Sequence, residues 1–125
     1  MIVLDTTVLI DNLRGNPVAR RAVVEASERG ERIACSVVTK VEILGGMRAH
    51  EEVDIREFFE TFEWINIDDE IAELAGATAN RYMRSYPGVG AIDYIIASTA
   101  VWFNASLWTL NLKHFPMIES LTRPY

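Results

Sequence analysis

What this chain has little of narrows its class before any motif is read. Its single cysteine, Cys35, cannot form a disulfide within the chain. Lying in the apolar stretch Ile33-Ala34-Cys35, it reads as a small core residue of a protein kept in a reducing compartment. There are only 2 histidines, and with no second His or Cys at ligand spacing a nitrogen- or thiolate-bound zinc site is not supported. Long apolar runs are also missing. The longest, Tyr94 to Phe103, is too short to cross a bilayer, and the opening segment meets Asp5 with no basic region before it. No membrane association and a cytoplasmic location are expected. Nor is positive charge in excess: 12 Lys and Arg face 18 Asp and Glu, a net charge of −6, without the basic footprint usual for phosphate binding. The cations lean to arginine, however, and although most of these solvate helix faces, the guanidinium fork suits phosphate better than an ammonium does.

Repeats, low-complexity tracts and Pro/Gly/Ser-rich linkers are absent too, so the 125 residues read as one domain, 1–125, with enough apolar content (50%) for a real core. Ile2 to Leu4 reads as a short buried strand, after which Thr6 or Thr7 caps a helix through Val8-Leu9-Ile10 toward Gly15. Beyond Pro17, the positions Ala19, Ala22, Val23 and Ala26 recur at helical spacing until Glu28-Arg29-Gly30 stops them before a strand Ile33 to Cys35. Helices follow over Ser36 to Ala49 and Val53 to Phe62, then a strand over Trp64 to Ile67. Asp68 or Asp69 caps the clearest amphipathic helix, whose apolar face runs from Ile71 to Tyr82. After the breaker-rich loop Ser85 to Gly90 come a helix, Ala91 to Phe103, and a strand, Leu107 to Leu110. Strands separated by such helices imply an α/β fold in three layers, a mainly parallel sheet of four or five strands flanked by helices. Ligands of such sheets gather at the carboxyl ends of the strands, where Asp5 and Asn111 fall.

Three carboxylates interrupt apolar patterns: Asp5 after Met1-Ile2-Val3-Leu4, Glu42 within Val37 to Leu44, and Asp93 at the head of Asp93-Tyr94-Ile95-Ile96-Ala97. Burying an ionised carboxylate is costly unless a cation or strong hydrogen bonds compensate it, so three such acids point to one shared task, the holding of a divalent metal. Each also has a plainer reading. Asp5 suits a turn or cap. Glu42 shares the i, i+3, i+4, i+7 stripe of Val38, Val41 and Gly45, which turns it inward, unless it borders that stripe and pairs with Lys40 or an arginine. Asp93 sits in the first turn of its helix on the face of Ile96, Ala97, Ala100 and Val101, where an acid also caps. Asn111 offers an amide oxygen and His114 lies three residues on. Oxygen ligands alone select hard cations, Mg²⁺ or Mn²⁺ as substitute.

An apolar strand ending in Asp5-Thr6-Thr7, the run Val37 to Gly46, the run Ala91 to Ala100 and the closing run Leu107 to Phe115 together resemble the PIN-domain ribonucleases, and among them the VapC-type toxins. The resemblance spans essentially the whole chain in order. It implies that Asp5, Glu42 and Asp93 are the metal-binding and catalytic acids, with Thr6 as the supporting hydroxyl. Many members carry a fourth acid in the closing motif, where this chain has Asn111 and His114. The resemblance also implies an RNA substrate, neutralisation by a small cognate antitoxin protein, and a homodimer. The stripe Ile55, Phe58, Phe59 and Phe62 is a candidate contact surface, or core.

The expected chemistry is hydrolysis of RNA phosphodiester bonds. Two other classes stand beside it. A non-catalytic protein-binding module with the same fold would use the acids only as caps. Another α/β phosphohydrolase of the haloacid-dehalogenase type would want a second Asp two residues after Asp5, where Thr7 stands, and a receiver would want paired acids that the chain lacks.

Overall fold

The computed structural model describes residues 1–125. In chain order it contains β1 (Ile2–Leu4), α1 (Thr6–Leu13), α2 (Pro17–Glu28), β2 (Ile33–Ser36) and α3 (Val38–Gly46). These are followed by α4 (Glu52–Phe59), β3 (Glu63–Ile65), α5 (Asp69–Tyr82), α6 (Ala91–Trp102) and β4 (Ser106–Trp108). Single 3₁₀ turns lie at Ala49–Glu51 and Leu112–His114. The four strands make one wholly parallel sheet in the order β3-β2-β1-β4, with β1 interior and Leu4 level with both Cys35 and Trp108.

The side-chain alternation of the strands builds three layers, as a parallel sheet buried on both faces requires. Val3, Ala34 and Leu107 point to one face and pack with Ile71 of α5 and Ile96, Ala97 and Ala100 of α6. Ile2, Leu4 and Cys35 point to the other and meet Val8 and Leu9 of α1, Ala26 of α2, Ile43 of α3, and Ile55 and Phe59 of α4. Helix α2 starts cleanly because Asn16 accepts the N–H groups of Val18 and Ala19, and it ends at Gly30, whose φ of +86° suits glycine. Asp68, not Asp69, caps α5, accepting the Ile71 N–H at 2.9 Å. No helix is long and apolar enough to cross a membrane.

Several expected boundaries move, each for a local reason. Asp5 is the N-cap residue of α1, and Thr6 and Thr7 lie inside the helix. Ser36 belongs to β2 and its hydroxyl accepts the Val38 N–H at 3.2 Å, so α3 begins two residues late. Helix α4 starts at Glu52 and stops at Phe59, where the Thr61 hydroxyl takes the Phe58 carbonyl (2.7 Å) and the Trp64 indole takes that of Phe59 (2.8 Å). Strand β3 is Glu63–Ile65 rather than Trp64 to Ile67, and β4 is Ser106–Trp108 rather than Leu107 to Leu110, because Thr109 turns its hydroxyl onto Asp5. The stripe on α4 is largely core: Ile55 and Phe59 are buried, with Phe58 and Phe62 packed half-buried beside them. Val41 and Val101, assigned to inward faces by spacing, are 66% and 53% exposed.

Two outcomes follow from this packing. Ile96→Ala, which empties a fully buried site, is expected to cost about 2–5 kcal/mol in urea unfolding, whereas exposed Val41→Ala should stay within about 0.5 kcal/mol. Burial pushes the Cys35 thiol up to about 12, against about 8.5 in an unfolded chain. The unfolded chain therefore loses this proton first, and the contribution, complete below about pH 8.5, declines as pH rises toward 12. Comparing urea midpoints of wild type and Cys35→Ala from pH 8 to 11 checks this: the wild type should lose more stability over that range.

Candidate active site

The carboxyl edge of the sheet brings residues from opposite ends of the chain together. Because Leu4 and Trp108 are in register, the residues that follow them, Asp5 and Thr109, come side by side, and the Asp5 N–H donates to the Trp108 carbonyl at 2.9 Å. The Asp5 backbone carbonyl opens α1 by accepting the N–H groups of Val8 and Leu9, both at 3.1 Å. Its side chain caps nothing. Instead Oδ2 accepts the hydroxyls of Thr7 (2.9 Å) and Thr109 (2.7 Å), while Oδ1 has no protein donor. The residue is 5% exposed and forms no ion pair, so a buried anion is held by two neutral donors. The hydroxyls are themselves fixed: Thr109 Oγ1 accepts the Asn111 N–H at 2.9 Å and Thr7 Oγ1 accepts the Leu110 N–H at 3.2 Å.

Glu42 reaches this edge from α3. It is exposed and does not face inward; the buried residues of the helix are Val38, Thr39 and Ile43. Thr39, three residues earlier and so on the adjoining stripe, shares a hydrogen bond with the Thr6 hydroxyl at 3.1 Å, and the Thr6 hydroxyl also donates to Glu42 Oε2. Glu42 is thus bonded to Thr6, the residue that follows Asp5. Lys40 does not pair with Glu42; its ammonium lies 4.5 Å from the centre of the Trp64 ring. Beside Glu42 opens a cavity of about 350 Å³ between α1 and the α3–α4 segment, lined by Ile10, Arg14, Met47 and Ile55 among others.

Asp93, in the first turn of α6, caps and does more. Its Oδ2 accepts the Gly90 N–H at 3.1 Å and lies 3.2 Å from His114 Nδ1, while Oδ1 has no protein donor. Asn111 enters only through its backbone, and its side chain makes no hydrogen bond. The three acids thus have separate partners: Asp5 has Thr7 and Thr109, Glu42 has Thr6, and Asp93 has Gly90 and His114. No three His, Cys, Asp or Glu side chains stand close enough to grip one ion among them. The donor chemistry nevertheless fits a hard cation. Each of the three acids commits one oxygen to protein donors and leaves the other free, the donors are all oxygen, and the buried Asp5 charge lacks a counter-ion. Thr109, Thr39 and the His114 contact were missed in the sequence. Thr109 carried a signal, a hydroxyl within the apolar run Leu107 to Leu110, whereas the other two depend on packing between distant segments.

Residues 2–115 match the profile of the PIN domain. Over its full 125 residues the chain is 39% identical to Ribonuclease VapC19 of Mycobacterium tuberculosis, covering all of both proteins. It is 41% identical to Ribonuclease VapC10 of the same organism, covering all of this chain and 93% of that one. Among solved structures it is similar to a toxin-antitoxin complex from Klebsiella pneumoniae, with TM-score 0.77 and 32% identity over 100% of this chain and 98% of that one. The fold also matches VapBC2 from Rickettsia felis bound to a promoter DNA fragment, with TM-score 0.80, 24% identity, and 98% and 97% coverage.

The Thr109 hydroxyl can be removed without changing side-chain shape. Thr109→Val should destabilise the protein by about 1–3 kcal/mol in urea, because a buried carboxylate oxygen and the Asn111 N–H both lose a partner, and Thr109→Ser should recover most of that loss.

Proposed function

We propose that this chain, which belongs to the PIN-domain family and within it to the VapC ribonucleases, is a metal-dependent endoribonuclease and the toxin of a toxin-antitoxin pair. The observation that carries the reading is Asp5: a buried carboxylate at the carboxyl edge of the sheet, with no cation paired to it and one oxygen free. Burying that charge without a paired cation is costly. The function assigned by the full-length relatives and the donor set of the edge agree.

In this reading Asp5, Glu42 and Asp93 would hold Mg²⁺, or Mn²⁺ in its place. Such an ion would supply acidification of a water and screening of the charge that builds on the phosphate during attack. The chain's own residues prepare that state. Thr7 and Thr109 fix the Asp5 carboxylate, Thr6 directs Glu42, and the Gly90 N–H donates to Asp93. Asn111, beside Thr109, is available to the RNA through an unengaged amide. The partners of this reading are RNA, a cognate antitoxin protein and a second copy of the chain, and its location is the cytoplasm.

Purified protein free of any partner is expected to cleave total RNA with Mg²⁺ and to be silent in EDTA, read as new 5′ ends. Asp93→Asn should keep its melting temperature, since the amide oxygen still accepts the Gly90 N–H, yet lose cleavage because the charge is gone. Full activity in EDTA, or in Asp93→Asn, would remove the metal reading.

A further inference from the structure

His114 has no role in the proposal beyond its contact, yet its setting is specific. It closes the turn Leu112–His114 after β4, with its backbone N–H donating to the Asn111 carbonyl at 3.0 Å and the next residue, Phe115, 1% exposed in the core. The base of the side chain is thus fixed by packing. Its Nδ1 meets Asp93 Oδ2, the same oxygen that accepts the Gly90 N–H. A ring nitrogen carrying its proton donates here, and two donors from different segments, one from the start of α6 and one from the turn after β4, then converge on a single carboxylate oxygen. That fixes the rotation of the group and leaves Oδ1 as its one open lone-pair edge. The contact is partly shielded from water, with the side chains of Asp93 and His114 19% and 40% exposed.

We infer that His114 is a positioning residue for the metal site: by holding Asp93 Oδ2 it aims Oδ1 at the ion, so the closing segment contributes orientation where a further acid would contribute charge. The inference rests on the proposed role of Asp93 as a metal ligand. Partners of this kind, which orient a ligand without touching the ion, typically change metal affinity 10–100-fold. A histidine also adds no negative charge beside Asp93, where a further acid would repel it.

The test is calorimetric titration of Mn²⁺ alone into the partner-free protein, with melting temperatures recorded in parallel. His114→Phe keeps a ring of similar bulk without the donor, and His114→Asn keeps a short N–H donor. Wild type should bind Mn²⁺, His114→Phe should bind about 10–100-fold more weakly, and His114→Asn should recover most of the affinity. A merely structural role would lower the melting temperatures of both variants and leave affinity unchanged. Wild-type affinity in His114→Phe, or equal weakening in both variants, would overturn the positioning role while leaving the nuclease reading intact. Absence of Mn²⁺ binding by wild type would overturn the metal site itself, and this inference with it.

Discussion

The carboxylate of Asp5 sets the terms for the rest of the edge. An anion with 5% exposure, held by neutral hydroxyls alone, is tolerated only where those donors are fixed in place. One donor, Thr7, comes from the first turn of α1. The other, Thr109, arrives because β4 lies next to β1 in register. Thr6, between Asp5 and Thr7 in sequence, faces the other way and reaches Thr39 and Glu42. Three consecutive residues at the end of one strand therefore hold the site to β4 on one side and to α3 on the other. Sheet order, strand register and the direction in which α1 departs all serve that arrangement.

The layers were legible because they rest on local periodicity. Alternation in Ile2-Val3-Leu4 and the recurrence of Ile71, Ala75 and Ile96, Ala100 record which face each element buries, and the sheet follows from strands separated by helices. The errors lie where tertiary contacts override spacing. The stripe through Val38 and Val41 predicted an inward Glu42, but α3 buries Thr39 and Ile43 and leaves Val41 and Glu42 exposed. A period of 3.6 locates a face only to within about one residue, and in a helix as short as α3 that decides which side of its border a glutamate takes. Residues such as Asp5 could be singled out because they break a pattern. Their partners could not, because the hydrogen bonds from Thr39 to Thr6 and from His114 to Asp93 span separations that no sequence window contains.

Asp93 shows why capping and ligand binding are poor alternatives for an acid at the start of a helix. One oxygen satisfies the orphan N–H of Gly90 and a histidine, and the other stays open. Capping occupies only one of the two oxygens, so it does not count against a second role for the same group. The same holds for the acidity of the whole chain: a net charge of −6 is a sum, and it hides what each acid contributes locally.

The bond between Thr109 and Asp5 joins residues 104 positions apart. The acid is made 104 residues before its partner, so a growing chain carries Asp5 without that donor until β4 can pair with β1. The edge is therefore complete only in a chain that already has both flanking strands, β1 and β4, paired.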